Sequence, residues 1–244
     1  MWSLARSLYR AVVSLDQEAR KVTEFVANAC SGHPKECRVL DVGCGNGRYL
    51  RKLGESGFDI TGLDANPELV QANRKAGLHC LTIEEFVQTQ DTYDVVLMSH
   101  VIEHFSPKDL IPFLDGYLDR LKVGGRVIIA TPLLTCLFFD DFDHVKPYHP
   151  RGLLMVFGDG QAQVQYYSRN KLRLEDVWIR RGPRRFAHRR ARYVRSPATR
   201  LLQLLELGGA LAFRLSAGII GQADGWVGMF RKVATASSPS PKER

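Results

Sequence analysis

Several things are missing from this 244-residue chain, and each absence narrows the reading. No run of eighteen clean apolar residues occurs, so a membrane-spanning helix is not expected. The first 22 residues, MWSLARSLYRAVVSLDQEARKV, do not read as a secretory signal. Arg6, Arg10 and Asp16 interrupt their apolar positions, and no small-residue cleavage site follows an apolar block. The five cysteines lack metal-like pairing. Cys30, His33 and Cys37 begin a ligand set, but no second pair completes a tetrahedron. Buried or loop thiols in a reducing cytosol are the expectation. No internal repeat is visible.

Acids are also missing from one place. Between Arg180 and Arg200 there are nine arginines and no acid. The chain carries a formal net charge of +8, yet the other 25 basic and 26 acidic residues nearly cancel. The excess belongs to that one segment. It holds only two aromatics, Phe186 and Tyr193, so a base-stacking surface is not indicated. Arginine forks suit phosphate, carboxylate or anionic lipid heads.

What is present is organised around residues 39 to 64, VLDVGCGNGRYL through FDITGLD. Val39, Leu40 and Val42 are β-prone. Gly43, Gly45 and Gly47 follow at once as G-x-G-x-G. Glycine tolerates positive φ and lets a ligand approach the bare backbone. Tyr49, Leu50 and Leu53 return at helical spacing. Phe58, Ile60 and Leu63 form a second strand, closed by Asp64. An acid in that position accepts hydrogen bonds from ribose hydroxyls. A dinucleotide site would need G-x-G-x-x-G. Here the third glycine comes one residue early, and Asp41 precedes the first. A carboxylate there repels pyrophosphate but tolerates a cationic amino-acid moiety.

DVGCGNG resembles the first motif of the class I S-adenosylmethionine-dependent methyltransferases, an acid followed by G-x-G-x-G. The resemblance implies a cofactor, S-adenosyl-L-methionine. It places Asp41, Gly43, Cys44 and Gly45 around the methionine part and Asp64 on the ribose. Ala65, Ile83 and Glu84 would line the adenine. It also implies an α/β fold, a doubly wound, mostly parallel seven-stranded Rossmann-like sheet. A C-terminal antiparallel hairpin would complete the sheet, with strands near 172–180 and 225–232. The domain expectation is an N-terminal helix over 1–35, a cofactor-binding core over 36–180 and a basic and apolar helical insertion over 181–224. A last strand over 225–234 and a disordered tail over 235–244 complete the chain. The N-terminal helix is expected to pack by the cofactor pocket; lying on a membrane surface is the alternative. The insertion is expected to cover the substrate end of the sheet.

Strand four runs into SHVIEHF. This is similar to the segment after strand four in ubiquinone-biosynthesis-type methyltransferases, where an E-H pair is usual. Ser99 and His100 would then face the sulfonium and the acceptor. The run H-x-x-E-H also spells a zinc-peptidase pattern, but that pattern needs a helix of its own. Some quinone-branch members bind a divalent cation here. His100, Glu103 and His104 are the residues available for it, with His100 where that branch has an acid, so no metal is expected. Beyond strand five, DHVKPYHP resembles the H-V-R-x-F/Y segment of the same branch. Histidine, with a free pKa of about 6.5, can take a proton from a hydroxyl at neutral pH. His144 is the first candidate for general base; His149 and His100 follow.

The leading expectation is a methyltransferase, cytoplasmic or peripheral at the inner membrane face. It would O-methylate a lipid-linked or membrane-derived acceptor: a quinone precursor, a glycolipid or a polyprenyl-linked saccharide. An anionic membrane surface is the further partner this suggests. One competing reading is an RNA or protein methyltransferase with Arg180–Arg200 as its footprint. The other is a non-catalytic subunit with a methyltransferase fold.

Overall fold

The computed structural model describes residues 17–31, 33–158, 160, 163–184 and 196–234. Seven strands form one sheet in the order β3-β2-β1-β4-β5-β7-β6. They are β1 (Arg38–Val42), β2 (Asp59–Leu63), β3 (Cys80–Leu81), β4 (Tyr93–Ser99), β5 (Leu121–Pro132), β6 (Lys171–Gly182) and β7 (Gln222–Val233). The first five are parallel; β7 runs antiparallel to both β5 and β6. The helices are α1 (Gln17–Ala29), α2 (Arg48–Glu55), α3 (Pro67–Lys75), α4 (Ile83–Gln88), α5 (Pro107–Leu118), α6 (Pro150–Phe157) and α7 (Pro197–Leu215).

Alternation along the strands builds a separate core on each face. Val39, Val95, Leu97, Ile128 and Ala130 pack with α1 and α2 on one side. Leu40, Val42, Val96, Met98, Val127 and Ile129 pack with α5 and α6 on the other. This is why the central strands read as unbroken apolar runs. Local signals fix the helix starts. Asn66 accepts from the Glu68 N–H ahead of α3, Thr82 forms a capping box on α4, and Ser106 caps α5.

Four expectations need correction. Cys30 and Cys37 are joined in a disulfide rather than free, because the turn after α1 brings their Cα atoms to 5.5 Å. Cys44, Cys80 and Cys136 remain thiols. Strand five, expected over Arg126–Thr131 after a turn at Lys122–Gly125, begins at Leu121: the bend, with Gly124 at φ +85°, is absorbed into an irregular strand start. The hairpin strands run longer than expected, so the stretch between them is 183–221 rather than 181–224. Arg181 therefore joins Arg180 in the sheet. Finally, α7 buries only Thr199, Ala210 and Phe213, so it presents most of its leucines to solvent instead of packing them as a cover. The helix expected within residues 1–35 is observed over Gln17–Ala29; residues 1–16, the tail 235–244 and residues 185–195 lie outside the described residues.

Candidate active site

The carboxyl ends of the parallel strands carry the site. After β1 the chain turns through Gly43 (φ +70°), Gly45 (φ +52°) and Gly47 (φ +70°), each in the left-handed region that favours glycine. The N–H groups of Gly43 and Cys44 both donate to the Leu63 carbonyl, at 2.7 and 3.0 Å. That locks the turn to the end of β2. A Cβ at Gly43 would stand 2.7 Å from Val101. At Gly45 a Cβ would meet nothing within 4 Å, so the backbone there faces open space.

Asp64 stands beside this opening. Its Oδ2 accepts from the Gly45 N–H at 2.8 Å and its Oδ1 from the Asn66 N–H at 2.9 Å. Each oxygen keeps a lone pair for a ligand hydroxyl. Asp41 is buried, and its Oδ2 has no hydrogen-bond partner among the described residues. Burial, with the negative charge of Asp64 nearby, pushes its pKa up to about 8. A buried carboxylate oxygen without a partner beside an open glycine backbone fits the ammonium and ribose of S-adenosylmethionine. Asp41, Gly43, Gly45 and Asp64 would hold that cofactor.

The remaining predicted cofactor residues divide. Cys44 points its thiol inward, 3.4 Å from Cys80 Sγ, so only its backbone borders the opening. Ala65 and Glu84 are exposed, Ile83 and Ser99 half-buried, at the ends of β2, β3 and β4. Asn73 was missed. Its side-chain amide, buried on α3, donates to the Gly45 carbonyl at 2.8 Å and braces the turn from beneath. The signal was a polar residue on the face α3 turns inward.

His100 follows β4 with φ +57°. Its Nδ1 lies 3.1 Å from Glu103 Oε1 and its Nε2 2.9 Å from Glu18 Oε1. Only the imidazolium can donate from both nitrogens. Burial works against that charge, but the two carboxylates outweigh it and hold the pKa at about 9. His100 is therefore already protonated at neutral pH and cannot serve as the expected base. Glu18 is also buried, which by itself would raise it. The hydrogen bond from His100 and the charges of His100 and Arg180 bring it down to about 2. Glu103 closes the chain by accepting from Thr131 Oγ1 at 3.0 Å. Arg180 pairs with Glu18 and with Asp224 Oδ1, the latter at 2.8 Å. Glu18 lies 82 residues from His100 and 162 from Arg180, beyond any local pattern.

The loop after β5 is laid over this cluster. The N–H groups of Val145 and Lys146 donate to the Glu103 carbonyl at 2.8 and 3.1 Å, and Tyr148 Oη donates to Phe105 O at 2.9 Å. His144 Nδ1 sits 2.8 Å from the Phe138 carbonyl. A carbonyl can only accept, so Nδ1 carries a proton there, and Nε2 lies 3.7 Å from Asp141 Oδ2. His149 is otherwise employed: its Nδ1 accepts from the Arg151 N–H as the cap of α6. Potential metal ligands also regroup. Glu103, His104 and His144 have ligand atoms within 4.8 Å of one another, whereas His100 spends both nitrogens on carboxylates.

The reversed β7 separates this sheet from the dinucleotide-binding order. The acid ahead of its first glycine separates the turn from a pyrophosphate site. Fold and turn together define the Rossmann-like S-adenosylmethionine-dependent methyltransferase class. Comparison with known proteins agrees. A family model described as a methyltransferase domain matches residues 14–175, and the chain belongs to that family. The mitochondrial ubiquinone biosynthesis O-methyltransferase of Homo sapiens is 32% identical over 106 residues, 38% of this chain and 28% of that protein. The corresponding Rickettsia akari protein is 32% identical over 118 residues, 45% of this chain and 46% of its own. The match thus spans less than half the length of these relatives. A methyltransferase from Archaeoglobus fulgidus shares the fold with a TM-score of 0.53 at 22% identity, covering 87% of this chain and 94% of that one. A magnesium protoporphyrin IX methyltransferase from Synechocystis, solved with the cofactor bound, does so with 0.52 at 13%, over 88% and 79%.

Proposed function

We propose that this chain transfers a methyl group from S-adenosylmethionine to a hydroxyl oxygen of an amphiphilic small molecule. The observation that carries the proposal is the open backbone at Gly45, set between Asp41 and Asp64. When bound there, the cofactor supplies an electrophilic methyl on a positively charged sulfur. The chain's own residues do the rest. Asp64 and the glycine turn fix the donor. His144 Nε2, in the loop above Glu103 and 3.7 Å from Asp141 Oδ2, accepts the hydroxyl proton as the oxygen takes the methyl. His100, a fixed imidazolium, holds the β4 loop between Glu18 and Glu103. Positioning of this kind can supply most of the rate of a bimolecular transfer.

The oxygen acceptor is supported by the histidine base and by the relatives, which are named O-methyltransferases. The apolar part is supported by a cavity of about 370 Å³ beside the same loop, between α5 and α6. Leu110, Leu153, Val156 and Phe157 line it, and Lys146 and His149 stand among the lining residues. Its size and apolar walls fit a small-ligand site.

Labelled cofactor incubated with the protein and a lipid extract tests the proposal. Label should enter a solvent-extractable product. His144→Asn should abolish transfer while leaving S-adenosylhomocysteine binding intact. Label appearing only in RNA or protein would refute it, as would full activity in the variant.

A further inference from the structure

α7 is turned the wrong way round for a helix of a free-standing domain. Thr199, Ala210 and Phe213, its buried residues, fall on one side at 100° per residue. Leu201, Leu204, Leu205, Leu211 and Leu215 fall on the opposite side, 50–80% exposed. Glu206, the only acid of the helix, lies on the protein side. The outward stripe is therefore purely apolar. Ile219 and Ile220 extend it past the helix end, 79% and 58% exposed. Contiguous exposed apolar surface of this kind marks an interaction site. The helix leaves and re-enters the sheet at the carboxyl edge of β5, where Gly225 pairs with Pro132, which is the edge that carries the active site.

We propose that α7 docks the protein on a bilayer rich in anionic lipid, with the leucine stripe in the headgroup–acyl boundary. Charge selects this occupant. Nine arginines and no acid occupy residues 180–200, directly before and into the helix. Arg180 is bound to Glu18 and Asp224, and Arg181 donates to the carbonyls of Gly218, Ile219 and Gly221. Seven further arginines run from Arg184 to Arg200 in the sequence. Basic residues next to an apolar helical face are the signature of an interfacial helix on anionic lipid. A second copy is a worse occupant, because pairing two stripes would bring two such arginine runs into one assembly. Spanning is excluded for the described helices, none of which is long and apolar enough.

Flotation with vesicles tests this independently of the methyl-transfer reading, since α7 lies outside the cofactor turn. Wild type should float with phosphatidylcholine vesicles holding 30% phosphatidylglycerol, at least tenfold more than with phosphatidylcholine alone. Leu204→Glu/Leu211→Glu changes two exposed side chains and empties no core. It should cut flotation at least tenfold while the melting curve and S-adenosylhomocysteine binding stay unchanged. Leu204→Ser/Leu211→Ser should fall between the two. Flotation unaffected by these changes would overturn the proposal, as would failure of wild type to float. A wild-type dimer in sedimentation that the same substitutions dissociate would assign the stripe to a second copy and overturn it too.

Discussion

Cofactor affinity should climb steeply with pH, and Asp41 is the reason. Its carboxyl is buried, partly bare and beside Asp64, which puts its pKa at about 8. The protonated form has little to offer an ammonium; the ionised form attracts it. With that pKa, roughly one molecule in ten is ionised at pH 7 and about one in a hundred at pH 6. Apparent affinity scales with the competent fraction. It should therefore rise about tenfold from pH 6 to pH 7 and level off near pH 8, about 1.4 kcal/mol per unit at the steep end. Neighbouring groups do not confuse the window: His100 stays protonated and Glu18 ionised throughout it. Calorimetric titration with S-adenosylhomocysteine at pH 6, 7 and 8, in two buffers of different ionisation heat, reads both affinity and protons. About 0.9 proton should leave per ligand bound at pH 7. Asp41→Asn should remove the slope and fix affinity near the wild-type value at pH 6. A wild-type affinity flat from pH 6 to 8, or the same slope in the variant, would sink the reasoning.

Three further outcomes follow from the geometry. Asp64→Ala leaves the Gly45 and Asn66 N–H groups without their acceptor. It should cost about 1–2 kcal/mol of stability and weaken S-adenosylhomocysteine binding more than tenfold by calorimetry. Glu18→Gln breaks the clamp between His100 and Arg180. A truly buried pair would cost 3–5 kcal/mol, but solvent on the 41% of the His100 side chain that is exposed screens it, so about 1–3 kcal/mol is expected. The raised His100 makes this stability complete below about pH 6.5 and lost as pH rises through about 9. The lowered Glu18 makes it complete above about 4.5 and lost as pH falls through about 2. Melting at pH 6 should thus separate wild type and variant most, and above pH 9.5 the gap should narrow to what the Arg180 pair alone supplies. Cys37→Ser opens the short loop closed by Cys30 and should cost about 2–3 kcal/mol, and dithiothreitol should lower the melting temperature of wild type but not of the variant.

The glycine turn and Asp64 were readable because each depends on neighbours a few positions away. A turn needing positive φ must show glycine, and an acid closing a strand shows in sequence. The parallel core was readable for the same reason, from strands buried on both faces. What was hidden is what the fold brings together. Glu18 looked like one more charge on the polar face of an amphipathic helix, yet it is buried between His100 and Arg180. Arg180, the start of the basic run and the end of the expected strand, is bound to two acids. His149 looked like a base and is a helix cap. Leucines in α7 suggested burial, because periodicity reports that a helix has an apolar face and not what the face meets.

The clamp also reverses the electrostatics that composition suggests. The whole chain is +8, yet the carboxyl edge of its sheet is acidic. Glu18, Glu103, Asp64 and Asp224 stand there against His100, Arg180 and Arg181, and Asp41 adds a further negative charge when it ionises. Low-dielectric walls strengthen that local field. A cationic sulfonium is drawn to such a mouth; a polyphosphate strand is repelled from it. The arginines that would grip a nucleic acid follow one another in the chain, leading into α7, whose outward face is leucine and not aromatic. A nucleic acid would have to bind those arginines and still bring a base to an acidic opening. An amphiphile whose anionic neighbours stay in the bilayer would meet no such conflict, because on the proposed reading the basic segment would hold the lipid surface while the acidic mouth would hold only the cofactor and one hydroxyl.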